Sequence, residues 1–597
     1  MAASAWQSNA AEETVREAQS REWVELPEGD VGDAVIAALE SGGVDHLFFT
    51  SGSEIGFFQE AIAKARAHRN TAPRLITMTH EHASLNAALG YAAVSGRMAA
   101  TAAHVDVGTQ HYGGAVHTAR HSGLPVLITA GAPPTSYPGT IRGSRDAGGH
   151  IWLQQGYDQH GIVRQYVKWD HRLECQDNPG LIVSRAVQVA QTEPKGPVYI
   201  SFPSEVALMR CLEPRFPTAG QLGIPRPPGP DPAAVNEIAR RLVRARNPML
   251  IAGRSGRNPR TVASLVVLCE LLGMPVIDAL PRAYLCFPMT HPLYLGSAGL
   301  HDADAVLVLE ADVPWMPGPL APPDSAYVAV IDVDAAKVRI PTYEFTADMR
   351  MTADSLLTIE ALAAAVRPLI TAADRSRFEE RGASWRAYTA TLREERDRDA
   401  AALAGHTPIH PRFLHREIGR VLGDDCIIFD ETIGRDPLSG YLRCNRSGSY
   451  FYLPGSSGGW SPGAAFGAKL AAPERDIVAV SGDGFYMFAT ANAALWAAAH
   501  HRAPFMSIIY QNRSWSTGVL RVDGLFPGGY AAQAGYDGGY FDPPIDFAKE
   551  AEAAGAYGEN VRDPAEIAPA IERGLAQIRA GKPAVIAVWL PRLLQKD

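Results

Sequence analysis

The chain has 597 residues, 46% of them hydrophobic and 20% charged, with a net charge of −9. This is ordinary globular composition at a length that calls for roughly three or four domains, and it excludes disordered and fibrous classes. No polybasic tract offsets the acidic balance, which argues against nucleic acid as a partner.

Residues 1–28 read as a polar arm. They lack the apolar core of a signal peptide, and Glu12, Glu13 and Glu17 argue against a transit peptide. No segment has the unbroken apolar length of a membrane span. The cysteines at 175, 211, 269, 286, 426 and 444 form no CxxC pair and no zinc spacing, as expected of free thiols in a reducing compartment. A soluble cytoplasmic protein is expected.

From 29 to 211 the pattern alternates strands and helices. Strands are predicted at 45–50, 74–79, 124–130 and 197–202, with a helix over 83–95. Short apolar runs separated by helices predict a parallel sheet covered on both faces. The stretch 212–230 is rich in proline and glycine and reads as a linker. A second α/β unit follows over 231–370, with strands at 248–253, 274–279, 303–312 and 326–334. Charged helical sequence makes 371–407 a connector. A third unit, 408–597, has strands at 426–430, 476–481, 504–510 and 583–590. The expected fold class is α/β, with three doubly wound parallel-sheet domains.

In the third unit, the strand at 476–481 runs into Gly482-Asp483-Gly484. The next strand ends at Gln511-Asn512-Arg513-Ser514. Ligands of parallel sheets sit at the carboxyl ends of strands, so Asp483 and Asn512 are expected at one edge. A carboxylate, an amide oxygen and a backbone carbonyl are hard ligands that suit Mg²⁺ completed by phosphate and water. Glycines let phosphates approach the backbone. A lone Gly-Asp-Gly is more often a plain turn; the order strand, GDG, helix, strand, Asn is far more specific.

That order resembles the thiamine diphosphate-dependent enzyme family, in its benzoylformate decarboxylase and acetolactate synthase-like branch, over nearly the whole chain. The resemblance implies pyrimidine-binding, middle Rossmann-like and diphosphate-binding domains, in that order. It implies that Asp483, Asn512 and the carbonyl of Ser514 hold Mg²⁺. Thiamine diphosphate would lie against Gly482, Asp483, Gly484, Phe485, Asn512, Ser514 and Trp515. Glu431, Thr432, Ile433 and Gly434 correspond to a loop that touches the diphosphate. Ser456 and Gly458 fall in the loop that holds the aminopyrimidine. The chain departs from the pattern at Gln511, where Asn is usual, and at Gly458, where relatives carry a bulky aliphatic wedge.

In the first unit Thr79-His80-Glu81-His82-Ala83 ends a strand and opens a helix. By resemblance Glu81 hydrogen-bonds N1′ of the aminopyrimidine; the competing reading is a helix-start carboxylate favoured by the dipole. Ser53, His104 and His291 resemble substrate-site positions of the same branch, and histidine carries protons near neutrality. His80, His82, His111, His117 and His121 crowd this region at spacings that match no zinc pattern and are read mostly as structural. Some relatives hold FAD or ADP in the middle domain. Here AGRSGRNPR is not GxGxxG, and an empty Rossmann-like domain is favoured.

The resemblance implies an enzyme that breaks or makes a carbon–carbon bond beside a carbonyl, foremost a 2-keto acid decarboxylase or carboligase acting on a small molecule. A 2-hydroxyacyl-CoA lyase or oxalyl-CoA decarboxylase relative is a second reading, although 591–597 is too short for a lid over CoA. A catalytically silent cofactor-binding homologue is the third. A homodimer or homotetramer is expected, because in the family the cofactor bridges domains of different chains.

Overall fold

The computed structural model describes residues 22–26, 28–68, 70–146, 148–211, 215–279, 283–434 and 436–594. Most of the arm expected over 1–28, and residues 212–214 of the expected linker, lie outside them. The chain divides into two compact units. One comprises Met1–Arg226, Gly455–Glu474 and Tyr486–Phe505; the other comprises Pro227–Pro454, Arg475–Phe485 and Met506–Asp597.

The first unit is built on a six-stranded parallel sheet. Its strands are β1 (His46–Thr50), β2 (Arg74–Met78), β3 (Ala99–Ala103), β4 (Val126–Ala132), β5 (Asp170–Arg172) and β6 (Pro197–Pro203), in the order β2-β1-β3-β4-β6-β5. Every residue of β4 and β6 is buried. Helices on both faces leave no polar side, so these strands read as unbroken apolar runs. The core gathers Leu47, Phe49, Phe58, Leu127, Ile200 and Phe202.

Helix α1 (Glu81–Ser95) is capped at its start by the His80 ring, which accepts the N–H of His82, and is closed by Gly96 in the left-handed region. Short helices α2 (Asp106–His111) and α3 (Gly114–Ser122) follow β3. Twelve of the fifteen residues of α1 are buried. The reason is α4 (Ser461–Ala471), which lies against it in the same unit; α5 (Ala491–His500) follows α4 in chain order. The two backbones nearly touch. A Cβ on Gly90 would stand 2.0 Å from the Ala464 carbonyl oxygen, and one on Gly467 would stand 1.8 Å from that of Ala87.

The second unit holds two sheets. The middle-domain sheet has β7 (Pro248–Ala252), β8 (Val276–Asp278), β9 (Tyr294–Gly296), β10 (Ala305–Leu309), β11 (Tyr327–Asp332) and β12 (Met349–Thr352), in the order β9-β8-β7-β10-β11-β12. The last sheet has β13 (Ile427–Glu431), β14 (Tyr450–Tyr452), β15 (Ile477–Gly482), β16 (Met506–Gln511), β17 (Tyr557–Val561) and β18 (Ala584–Trp589), in the order β14-β13-β15-β16-β18-β17. All pairs are parallel. The first and last sheets thus share one topology, and the middle sheet has the other common doubly wound order.

The expected connector is a thirty-residue helix, Ala372–Ala401, opened by a capping box of Thr371 and Asp374. Its buried Arg381 donates to the carbonyls of Ala245, Arg246, Leu272 and Gly273, satisfying the ends of two middle-domain helices. Burial lowers this guanidinium to about 10.

The strand order reverses beside β1/β3, β7/β10 and β13/β15. Open α/β sheets bind ligands at such switch points, outside the carboxyl ends of the strands.

Candidate active site

At the β1/β3 switch point, the turn after β1 carries Ser53 and Glu54, and His104 follows β3. Glu54 is the hub. Its side chain is 5% exposed, accepts from the Ser53 hydroxyl at 2.7 Å and from Gln154 Nε2 at 2.6 Å, and stands 2.8 Å from His104 Nδ1. The His104 contact is an ion pair rather than a linear hydrogen bond. Burial opposes the Glu54 charge, but His104, Ser53 and Gln154 outweigh it and bring its carboxyl down to about 2. The same partner raises the His104 imidazole above its ordinary value, against its own burial. Gly52 makes the approach sterically feasible: a Cβ there would lie 2.7 Å from that of His104. Ser53 and His104 are thus brought to one carboxylate. Glu54 and Gln154 were not singled out from the sequence; Glu54 adjoins Ser53 in the turn, but its partners come from other elements.

Glu81 is buried at the start of α1, with His111 Nδ1 3.5 Å from its Oε2. The loop 455–460, expected at the aminopyrimidine, meets α1 within the first unit. The Gly459 carbonyl takes contacts from His82 Nε2 at 3.2 Å and from the Asn86 amide at 3.4 Å. Gly459 is left-handed (φ +97), and a Cβ there would collide with the backbone at Phe488 and Ala489. The Ser456 N–H and hydroxyl reach His117 Nε2 at 3.1 and 3.3 Å. The helix bearing Glu81 and this loop therefore belong to one chain and one compact unit.

In the second unit, Asp483 and Asn512 follow adjacent parallel strands, with Gly482 of β15 in register with Tyr510 of β16. Asp483 is 2% exposed, and burial pushes its carboxyl up to about 6. It accepts the N–H groups of Gly484 at 2.9 Å and of Arg513 at 2.5 Å. The second bond depends on Arg513 adopting the left-handed region, φ +60. Asn512 Oδ1 accepts from the Ser514 N–H and hydroxyl at 3.0 and 2.9 Å. The Trp515 ring covers Gly484 and meets Phe541 edge-on at 4.7 Å. A side chain at Gly482 would meet open space, so the backbone there is accessible. Beside it Glu431 is buried at the end of β13. Asp430 fixes the following turn through the Thr432 N–H and hydroxyl at 2.8 and 2.7 Å. Ile433 is exposed. A buried carboxylate whose charge is disfavoured, beside an amide oxygen and an open glycine backbone, fits a hard divalent cation with a phosphate ligand.

His291 lies elsewhere in this unit. It precedes β9, at the strand's amino end, where Nε2 stands 3.3 Å from Glu270 Oε1, Nδ1 accepts the Leu293 N–H and its carbonyl accepts from Arg393. At the middle-sheet switch point, Arg254 pairs with Asp312 at 2.8 Å, Arg257 with Glu310 at 2.8 Å, and Lys337 with Asp312 and Asp332. The crevice where a nucleotide would be sought is spanned by side-chain ion pairs.

Three family descriptions match the chain: thiamine pyrophosphate enzyme, N-terminal TPP binding domain, over 29–162; central domain, over 235–362; and C-terminal TPP binding domain, over 437–588. The chain belongs to the thiamine pyrophosphate enzyme family. The benzoylformate decarboxylase of Pseudomonas aeruginosa is 28% identical over 541 residues, covering 86% of this chain and 91% of the relative. A probable acetolactate synthase of Mycobacterium bovis is 25% identical over 574 residues, covering 93% and 95%. A thiamine diphosphate-dependent 4-hydroxybenzoylformate decarboxylase of Rhodococcus jostii RHA1 shares the fold, with a TM-score of 0.75 at 22% identity over 95% of this chain and all of that one. This member of the family is a thiamine diphosphate-dependent enzyme of the decarboxylase and acetolactate synthase-like group. Among its described residues no helix is long and apolar enough to cross a membrane, and its six cysteines are free.

Proposed function

We propose that this enzyme is a Mg²⁺-dependent 2-keto acid decarboxylase or carboligase. When bound, thiamine diphosphate supplies a nucleophilic carbon and an electron sink for bonds beside a carbonyl. Asp483, Asn512 and the Ser514 carbonyl hold Mg²⁺, and the backbone at Gly482 and Gly484 with the turn at Glu431–Thr432 receives the diphosphate. Ser456, Gly458 and Trp515 flank the cofactor. Glu81 holds a proton at N1′ from a site where burial strengthens the contact. His104 moves a proton at the substrate, with Glu54 favouring the charged form of its imidazole and Ser53 beside it. His291, engaged with Glu270, is left out of this machinery.

The observation that supports the reading most is the meeting of the Glu81 helix with loop 455–460 through His82, Asn86 and Gly459. These are the two elements expected at the aminopyrimidine. The test is a screen of 2-keto acids for CO₂ release, with and without acceptor aldehydes, on protein loaded with cofactor and Mg²⁺. Turnover of CoA thioesters instead selects the lyase reading, and no release from any substrate selects the silent homologue. We propose separately, on the family resemblance and not on this contact, a cytoplasmic homodimer or homotetramer; light scattering on active enzyme reads its assembly, and an active monomer refutes the oligomer alone.

A further inference from the structure

Three donors from two separate segments of the chain meet at the start of α1. His80 caps the helix, Glu81 is its first residue, and His111 ends α2. One ligand atom from each lies within 4.8 Å of the others. Glu81 Oε2 and His111 Nδ1 are already 3.5 Å apart, close to the ~3.4 Å between donors of a tetrahedral ion with bonds of about 2.1 Å. The His80 and His111 rings lie face to face, 5.5 Å between centroids and 21° between planes. The His111 side chain is 62% exposed, so its ring is free to swing the remaining distance. His80 Nδ1 accepts the His82 N–H at 3.1 Å, and its imidazole has a second ring nitrogen to offer an ion.

We propose that His80, Glu81 and His111 form a binding site for a borderline divalent cation such as Zn²⁺, and that an ion seated there takes the Glu81 carboxylate away from the cofactor. Two imidazoles and one carboxylate select zinc-like ions over Mg²⁺, whose preferred donors are oxygens. The family's metal site at Asp483 and Asn512 has the opposite preference. Zinc-like ions therefore inhibit at a site separate from the one that Mg²⁺ fills. The binding half stands on the donors alone; the inhibition half rests on the reading of Glu81 as the partner of the aminopyrimidine.

The probe is the metal alone on cofactor-free protein: Zn²⁺ by calorimetry, and Co²⁺ by its visible absorption. Wild type is expected to take up one equivalent that is weakened at least about 10-fold in His111→Ala and again in Glu81→Gln, with loss of the Co²⁺ bands. Equal binding by wild type and His111→Ala overturns the site. His111 is exposed, so the variant is expected to fold, and circular dichroism checks that it does. Holoenzyme freed of excess thiamine diphosphate by desalting is then titrated with Zn²⁺, and its affinity should fall by a similar factor. Undiminished affinity at a site that still needs His111 overturns the inhibition half and with it the placing of Glu81 at the cofactor, while leaving the metal site intact.

Discussion

Buried Glu54 and half-buried His104 stand 2.8 Å apart as an ion pair at the carboxyl ends of two adjacent strands. This pairing predicts that Glu54→Gln lowers the imidazole pKa of His104, read by NMR titration of the ring, because the largest influence raising that pKa is the carboxylate itself. The pair's contribution to stability has two edges. The lowered Glu54 is fully stabilising above 4.5 and loses this as pH falls toward about 2. The raised His104 is fully stabilising below 6.5 and loses this as pH climbs through its folded value. Glu54→Gln should therefore cost most between pH 4.5 and 6.5, and an equal cost at every pH would contradict the pairing.

Glu81→Gln should keep the fold and most of the cofactor affinity, since the diphosphate and metal contacts proposed above come from other residues. It should slow loss of the C2 proton by about 10²–10⁴. Hydrogen–deuterium exchange at C2 of bound cofactor, quenched in acid and read by NMR, isolates that step without a substrate. Wild-type exchange in the variant would reduce Glu81 to a helix-start carboxylate.

Asp483→Ala should abolish Mg²⁺-dependent binding of thiamine diphosphate. It removes the carboxylate that burial holds near pKa 6, which is the proposed charged ligand of the ion. The loss should exceed the roughly 10–100-fold typical of a mere second-layer partner. Calorimetry with and without Mg²⁺ decides it, and unchanged affinity would move the metal elsewhere.

Gly467→Ala tests the α1–α4 contact. Alanine favours a helix by about 1 kcal/mol over glycine, yet its methyl would stand 1.8 Å from the Ala87 carbonyl oxygen. Overpacking should win, lowering stability by about 1–3 kcal/mol in denaturant melts. A stabilised variant would show that the helices do not approach so closely.

His415 is buried against the rings of Tyr441 and Tyr510, and burial lowers its pKa to about 4. Its folded value lies below the ordinary 6.5, so stability is full above pH 6.5 and falls as pH drops toward about 4. At pH 5 this amounts to about 2 kcal/mol. His415→Phe should shrink the difference in melting temperature between pH 7 and pH 5, and an unchanged difference would assign the acid sensitivity to other groups.

The sequence by itself determined the three parallel sheets and the edge at which Asp483 and Asn512 stand, because an apolar run of four to eight residues marks a strand buried on both faces, and ligand-bearing turns of such sheets follow strand carboxyl ends. It missed β5, β9, β12, β14 and β17, all at sheet edges and only three to five residues long, where one covered side calls for little apolar sequence. It also missed β3, since Ala-Ala-Thr-Ala-Ala is buried throughout without any strand-favouring bulk besides threonine. What only the tertiary structure decided was partnership. Glu54 meets His104, His111 meets Glu81, and His291 is tied to Glu270, all across separations that no local periodicity encodes. Charge and hydrogen-bond partners are chosen by which strand ends and helix faces the topology brings within a few ångströms, and that is a property of the packed chain.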